Sequence, residues 1–107
     1  MCEGVIEIVN NHNNIKMLIF EHISSLLGIT FPAKQIIKIC KKHNIITLID
    51  GAHTLGNINI DIHNLDPDIY ITNTHKWFGN IKSCSVLYVN DNIKYKFNSC
   101  IVITWFL

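Results

Sequence analysis

The sequence contains no arginine and little charge. Its nine basic residues are all lysines, charged residues make up 16% of the 107 positions, and the formal net charge is +1. Nucleic-acid-binding domains usually carry a pronounced basic patch. We therefore expect no nucleic-acid partner.

Long apolar runs and closely paired cysteines are also missing. A membrane-spanning helix needs about 20 apolar residues in a row, and the runs at Ile15–Phe20 and Cys100–Leu107 are far shorter. No basic segment followed by an apolar one opens the chain, so we expect no membrane partner and no signal peptide, which makes the cytoplasm the expected location. The cysteines form no CxxC pair, and we expect reduced, mostly buried thiols. They are Cys2, Cys40, Cys84 and Cys100.

Apolar residues are abundant. They make up 49% of the chain, and the mean hydropathy is +0.25. This composition excludes a disordered chain, because so apolar a chain would collapse in water. It fits a tightly packed core or a piece of a larger domain.

Short apolar runs alternate with helix-like segments along the chain. The runs predict buried strands; they are Ile15–Phe20, Ile45–Ile49, Ile69–Thr72 and Val86–Val89. The run Ile45–Ile49 is of the kind found in strands that are covered on both faces. The intervening segments predict a helix up to Val9, a helix that starts near Pro32 with Thr30 as its cap, and a turn or short helix at Ile60–Leu65. Alternation of this kind predicts an α/β fold with a layered, mostly parallel sheet.

Two loops that follow predicted strands carry the chemistry. The first reads Asp-Gly-Ala-His at residues 50–53, and the second reads Asn-Thr-His-Lys-Trp at residues 73–77. Asp50 alone could equally cap a following helix, and Lys76 alone could be an exposed lysine beside a core tryptophan. In a partly desolvated cleft, however, Lys76 could act as an amine nucleophile. Ligands of α/β sheets bind outside the carboxyl ends of the strands, so both loops can open onto one crevice.

A carboxylate and a lysine amine in one crevice suit a pyridoxal-type cofactor. With these residues the sequence resembles the class V aminotransferase superfamily of pyridoxal-phosphate enzymes, and within it the isopenicillin N epimerase-like branch. The matching segments are Glu-His-Ile-Ser-Ser at 21–25 with Gly28, Phe-Pro at 31–32, residues 48–53 with Gly56, Asp-Ile-Tyr at 68–70, and residues 73–77. The resemblance is strongest over residues 15–89. It implies that residues 1–107 are part of the large, cofactor-binding domain of an aspartate-aminotransferase-like fold, as a βαβ-type segment of its mostly parallel sheet.

The resemblance also implies site roles. Lys76 matches the catalytic Schiff-base lysine, and Asp50 matches the partner of the pyridine nitrogen. His53 matches a residue beside the ring, whereas His75 and Asn73 match phosphate contacts. Ser25 would approach the phenolic oxygen. The family's carboxylate-gripping arginine has no counterpart here, because the chain contains none.

Three functions stay open at this point. The chain resembles part of a pyridoxal-phosphate-dependent enzyme that acts on an amino acid by epimerase, lyase or transaminase chemistry and forms a homodimer in its full-length family. Alternatively, it is a truncated product that retains the motifs without activity, which we favour for the isolated chain. A small metal-binding module built from His53, His75 and a cysteine ranks last, because the spacing fits no zinc pattern.

Overall fold

The computed structural model describes residues 2–82 and 84–93. The elements follow the predicted alternation of helices and strands. In chain order they are α1 (Cys2–Asn11), β1 (Met17–Glu21), α2 (Ala33–Lys42), β2 (Ile46–Asp50), α3 (Ile62–Leu65), β3 (Ile69–Asn73) and β4 (Ser85–Val89). The strands lie within one or two residues of the predicted ones, and the α/β prediction is confirmed.

The four strands form one sheet in the order β1-β2-β3-β4. The first three strands are parallel, and β4 runs antiparallel to β3. In the register Glu21 pairs with Asp50, and Asp50 pairs with Ile71. The carboxyl ends of β1, β2 and β3 therefore meet at one edge of the sheet.

One face of the sheet is covered by the helices. In α2 the apolar side chains of Ile36, Ile37 and Cys40 point inward, because residues three and four apart share one face of a helix. Ile36 and Cys40 pack with Val9 of α1, whereas Ile37 packs against Ile49 of β2. Each such isoleucine contributes about 1.5–3 kcal/mol when fully buried.

The opposite face of the sheet is open. Ile19 of β1 is 64% exposed and Leu87 of β4 is 62% exposed. The reason is that α2 and α3 both pack against the cluster around Ile49 and Tyr70, so they cover the same face. Within the described residues, the apolar face that carries Ile19 has no covering element.

Two local predictions were wrong. Thr30 does not cap α2: Pro32 is its N-cap residue, with no side-chain cap bond, because Thr30 pairs instead with Ile23 in an isolated bridge. The thiols are not mostly buried either. Cys40 is buried, but Cys2 is half-buried and Cys84 is exposed. Cys100 lies outside the described residues.

Among the described residues, no helix combines the length and the apolar character that crossing a bilayer requires.

Candidate active site

The two chemistry-bearing loops lie side by side at the carboxyl edge of the sheet. Asp50 ends β2, and Lys76 comes three residues after the end of β3. Both line a cavity of about 400 Å³ on the open face of the sheet, together with Ala52 and Asn73. The crevice that strand order predicted therefore exists, and it contains both the carboxylate and the amine.

Asp50 holds its own loop in shape. Its Oδ1 accepts a hydrogen bond of 2.8 Å from the backbone N–H of Ala52, which closes a turn of the kind that aspartate favours. The following residues form turns rather than a helix, so the helix-cap alternative for Asp50 is wrong. No described residue donates to the other carboxylate oxygen, and Asp50 is exposed to the cavity.

His53 connects the two loops. Its Nε2 lies 3.3 Å from Lys76 Nζ, and its Nδ1 accepts a 3.1 Å hydrogen bond from the indole N–H of Trp77. Trp77 is 57% exposed, so it is not the core tryptophan that the alternative interpretation of Lys76 required. Lys76 is itself exposed, and the desolvated cleft expected around its amine is not formed by the described residues.

Gly56 brings the loops into contact at the backbone. Its φ of 85° lies in the left-handed region, which glycine adopts without steric cost. A Cβ at this position would lie 2.8 Å from the carbonyl carbon and oxygen of Trp77. The loop after β2 can therefore approach the lysine loop only because residue 56 lacks a side chain.

Two polar atoms beside the site have no hydrogen-bond partner. They are Asn73 Oδ1 and His75 Nδ1, and both are buried from solvent. Buried polar atoms are rarely left unpaired, because each loses its bonds to water without replacement. Unpaired atoms on the segment that carries Lys76 are the arrangement expected where a polar ligand completes the site.

Ser25 occupies a neighbouring depression. It is exposed in the loop after β1, and it lines a cavity of about 370 Å³ with Ile23, His53 and Trp77. The structure thus brings Asp50, Asn73 and Lys76 together in the cavity of about 400 Å³. Ser25 lines the neighbouring cavity of about 370 Å³, which His53 and Trp77 also line.

A buried hydrogen-bond chain supports the Asp50 loop from below. Tyr70 donates from its hydroxyl to Thr54 Oγ1 at 2.8 Å, and Thr54 in turn donates to the Gly51 carbonyl at 2.6 Å. His22 Nδ1 lies 2.9 Å from the Tyr70 oxygen. Burial lowers the pKa of His22 and raises the pKa of Tyr70. The sequence does not predict this series of hydrogen bonds, because the residues that form it are widely separated along the sequence and each resembles an ordinary core residue.

The described residues contain no group of three or more histidine, cysteine or acidic side chains placed to hold a metal ion. His53 instead uses its two ring nitrogens toward Trp77 and Lys76.

Comparison with known proteins identifies the family. The family model for class-V aminotransferases matches residues 4–102. The chain belongs to the class-V aminotransferase family. Members of this family depend on pyridoxal phosphate, which is the cofactor that the motifs predict. The narrower resemblance to the isopenicillin N epimerase-like branch stays a prediction.

Several curated relatives are similar over most of the chain. A hercynylcysteine sulfoxide lyase of Schizosaccharomyces pombe is 44% identical over 75 residues, which is 70% of this chain and 19% of that protein. An L-cysteine desulfhydrase-like protein, lolT1, of Epichloe uncinata is 33% identical over 86 residues, which is 80% of this chain and 19% of that protein. This chain therefore spans about a fifth of the length of these relatives.

Solved structures agree on the fold. A cystine C–S lyase, C-DES, in complex with its product cysteine persulfide superposes with a TM-score of 0.81 at 25% identity, over 89% of this chain and 26% of that one. Pyridoxamine-pyruvate aminotransferase from Mesorhizobium loti superposes with a TM-score of 0.78 at 18% identity, over 86% of this chain and 24% of that one. The α/β sheet is thus that of pyridoxal-phosphate enzymes of the aminotransferase type.

Proposed function

We propose that residues 1–107 of this sequence form part of the large, cofactor-binding domain of a pyridoxal-phosphate-dependent enzyme, and that Lys76 is the residue that holds the cofactor covalently. The main support for the proposal is that Asp50 and Lys76 line the same cavity, next to the carboxyl ends of the parallel strands β2 and β3. Pyridoxal phosphate, when bound, supplies an electron sink for the bond that breaks in an amino-acid substrate.

Asp50 suits the pyridine nitrogen of the cofactor. Its Oδ1 is held by Ala52, so the carboxylate has a fixed orientation, and no described donor uses its second oxygen. A carboxylate held in this way favours the protonated form of a facing ring nitrogen, because opposite charges stabilise one another at short range. The cavity is lined in part by Ile19 and Leu48, which provide an apolar floor for an aromatic ring.

The remaining site residues have narrower roles. Asn73 and His75 would complete the phosphate contacts, and their unpaired buried atoms support that assignment. His53 stands beside the lysine amine and would contact the ring. Ser25 would act from the neighbouring cavity, which it shares with His53.

The substrate class is an amino acid, and the reaction that we favour is a lyase reaction on one that contains sulfur. Support comes from the similar proteins, which are named as a sulfoxide lyase and an L-cysteine desulfhydrase-like protein. Transaminase and epimerase reactions stay possible for the same residues, because they begin with the same proton removal beside the substrate amine. Lys76 would be the base in each case, because its amine lines the cavity that would hold the substrate.

The second candidate is a chain that captures the cofactor without turnover. The absence of arginine favours it for the isolated chain, because a bidentate clamp on a substrate carboxylate is the property of a guanidinium. The open sheet face favours it too, since water beside the cavity weakens the electrostatic interactions within it.

Assembly and location are proposals for the whole protein. A homodimer is supported by large apolar side chains exposed around the site; they are Leu26, Leu27, Trp77, Phe78 and Ile81. A cytoplasmic location is supported by the free thiols of the described cysteines, which suit a reducing compartment.

The test is capture of the cofactor by Lys76. The purified chain is mixed with pyridoxal phosphate, the visible absorption is recorded, and the adduct is reduced with borohydride and mapped by mass spectrometry. We expect the adduct on Lys76 in the wild type and in Lys38→Ala, which removes an exposed lysine of α2. Lys76→Ala should abolish both the absorption band and the mapped adduct. An adduct spread over surface lysines, unchanged in Lys76→Ala, would refute the proposal.

A further inference from the structure

The side chain of Trp77 has a single polar atom, the indole nitrogen, and this atom contacts His53. Its indole N–H lies 3.1 Å from His53 Nδ1. An indole can only donate, so this nitrogen of the imidazole must carry no proton. When His53 is neutral, its one ring proton must therefore sit on Nε2.

The protonated nitrogen is the one that faces the lysine. Nε2 lies 3.3 Å from Lys76 Nζ. An ammonium group has three donors and no acceptor, so it cannot pair with an N–H, whereas a free amine has a lone pair that accepts it. In the tautomer that Trp77 selects, the Nε2–H group can therefore donate a hydrogen bond to the amine form of Lys76, but it has no acceptor in the ammonium form.

The loop of residues 53–57 contacts the backbone of Trp77 and holds that of His53, although the indole itself is more than half exposed. Gly56 touches the Trp77 carbonyl group, where a Cβ would lie 2.8 Å away. Asn57 donates to the His53 carbonyl at 3.2 Å, which ties the histidine backbone to the same loop. Burial of apolar area alone does not explain a tryptophan that is 57% exposed at this place.

We infer that Trp77 is a positioning residue: its indole N–H fixes the His53 tautomer with the proton on Nε2, and this tautomer favours the nucleophilic amine form of Lys76. The inference rests on the proposed role of Lys76 as the cofactor-binding lysine. It concerns the state of the chain before any cofactor binds, and it can be measured without the cofactor.

The first measurement is the tautomer itself. The chain is labelled with ¹⁵N at histidine, and long-range ¹H–¹⁵N spectra are recorded at a pH where imidazole is neutral, about 8. His53 signals are assigned with His53→Gln. We expect a proton on Nε2 alone in the wild type and both tautomers in Trp77→Phe. Phe78→Leu, which changes the exposed neighbour, should match the wild type.

The second measurement is the reactivity of the Lys76 amine. Reductive methylation is followed residue by residue by mass spectrometry, with Lys38 and Lys82 as internal standards. Trp77→Phe should slow methylation of Lys76 about two- to tenfold, the range that one net hydrogen bond produces. A benzothienylalanine at position 77 keeps the shape of the indole and removes only the N–H, so it should give the same slowing even if the phenylalanine variant folds poorly.

The results that would overturn the role of Trp77 differ from those that would overturn the proposed function. An unchanged tautomer in both position-77 variants overturns the inference, and so does an altered tautomer with unchanged methylation of Lys76. Failure of the chain to capture pyridoxal phosphate would instead count against the proposed function, because neither measurement here contains the cofactor.

Discussion

Substitution of Gly51 by alanine tests how the Asp50 loop is supported. Gly51 lies directly against the Tyr70 ring, and a Cβ there would lie 2.2 Å from Cε1, 2.5 Å from Cζ and 2.6 Å from the hydroxyl oxygen. Tyr70 is 3% exposed and cannot swing into solvent. Its hydroxyl is also part of the buried chain that runs through Thr54 to the Gly51 carbonyl. The methyl group must therefore displace either the ring or the loop.

The expected cost follows from these contacts. Overpacking a well-filled core costs about 1–3 kcal/mol, and each buried polar group that loses its partner costs about 1–3 kcal/mol more. With one hydrogen bond of Tyr70 broken, Gly51→Ala should lower the free energy of unfolding by about 2–6 kcal/mol. The φ of Gly51 is not positive, so backbone strain adds nothing.

The assay is urea denaturation of the purified chain, followed by circular dichroism. Gly4→Ala is the matched control: no atom lies within 4 Å of its added Cβ, and alanine in helix α1 should be neutral or stabilising by about 0.5–1 kcal/mol. Tyr70→Val removes the ring, and it should make a second substitution at Gly51 much less costly than in the wild type. Equal costs of Gly51→Ala with and without the Tyr70 ring would refute the clash.

Two further predictions concern groups whose pKa is shifted by burial. Burial lowers the pKa of His22 below 6.5, so the unfolded chain binds the proton more readily and the stability of the fold decreases as the pH drops below that value. On acidification, the urea concentration at the unfolding midpoint should therefore decrease more steeply for the wild type than for His22→Asn. Parallel curves for the two proteins would contradict this prediction. Burial raises the pKa of the Cys40 thiol, with a further contribution from Asp68. Iodoacetamide should therefore modify Cys84 in the folded chain and Cys40 only after unfolding, as peptide mapping would show; equal rates would contradict it.

The strands and the placement of the main site residues could be predicted from the sequence. Apolar runs such as Ile45–Ile49, which lies between Asn44 and the pair Asp50-Gly51, predict strands because those neighbours favour turns. Strand ends in a parallel sheet meet at one edge, so the sequence alone predicts that Asp50 and Lys76 share one crevice. The structure puts them in the same cavity.

The direction of individual side chains could not be predicted. The alternative interpretation of Lys76 places Trp77 in the core, because large aromatic side chains are usually buried. Trp77 lies instead in a bend whose backbone Gly56 approaches closely, and neither feature has a periodic signal in the sequence. The contact of His22 with Tyr70 spans 48 residues, a separation at which local patterns carry no information.

The open sheet face explains why cofactor capture and turnover should be separable in this chain. Ile19 belongs both to the exposed apolar face and to the lining of the cavity with Asp50 and Lys76. The proposed capture needs an amine and a few polar contacts, for which Lys76, Asp50 and Asn73 are the candidates in this cavity. Strong stabilisation of charge in a reaction needs the exclusion of water, because interactions between charges weaken as the effective dielectric rises. A cavity with one uncovered apolar wall therefore favours binding chemistry over turnover, and covering that wall should strengthen the electrostatic effect of Asp50 within the cavity.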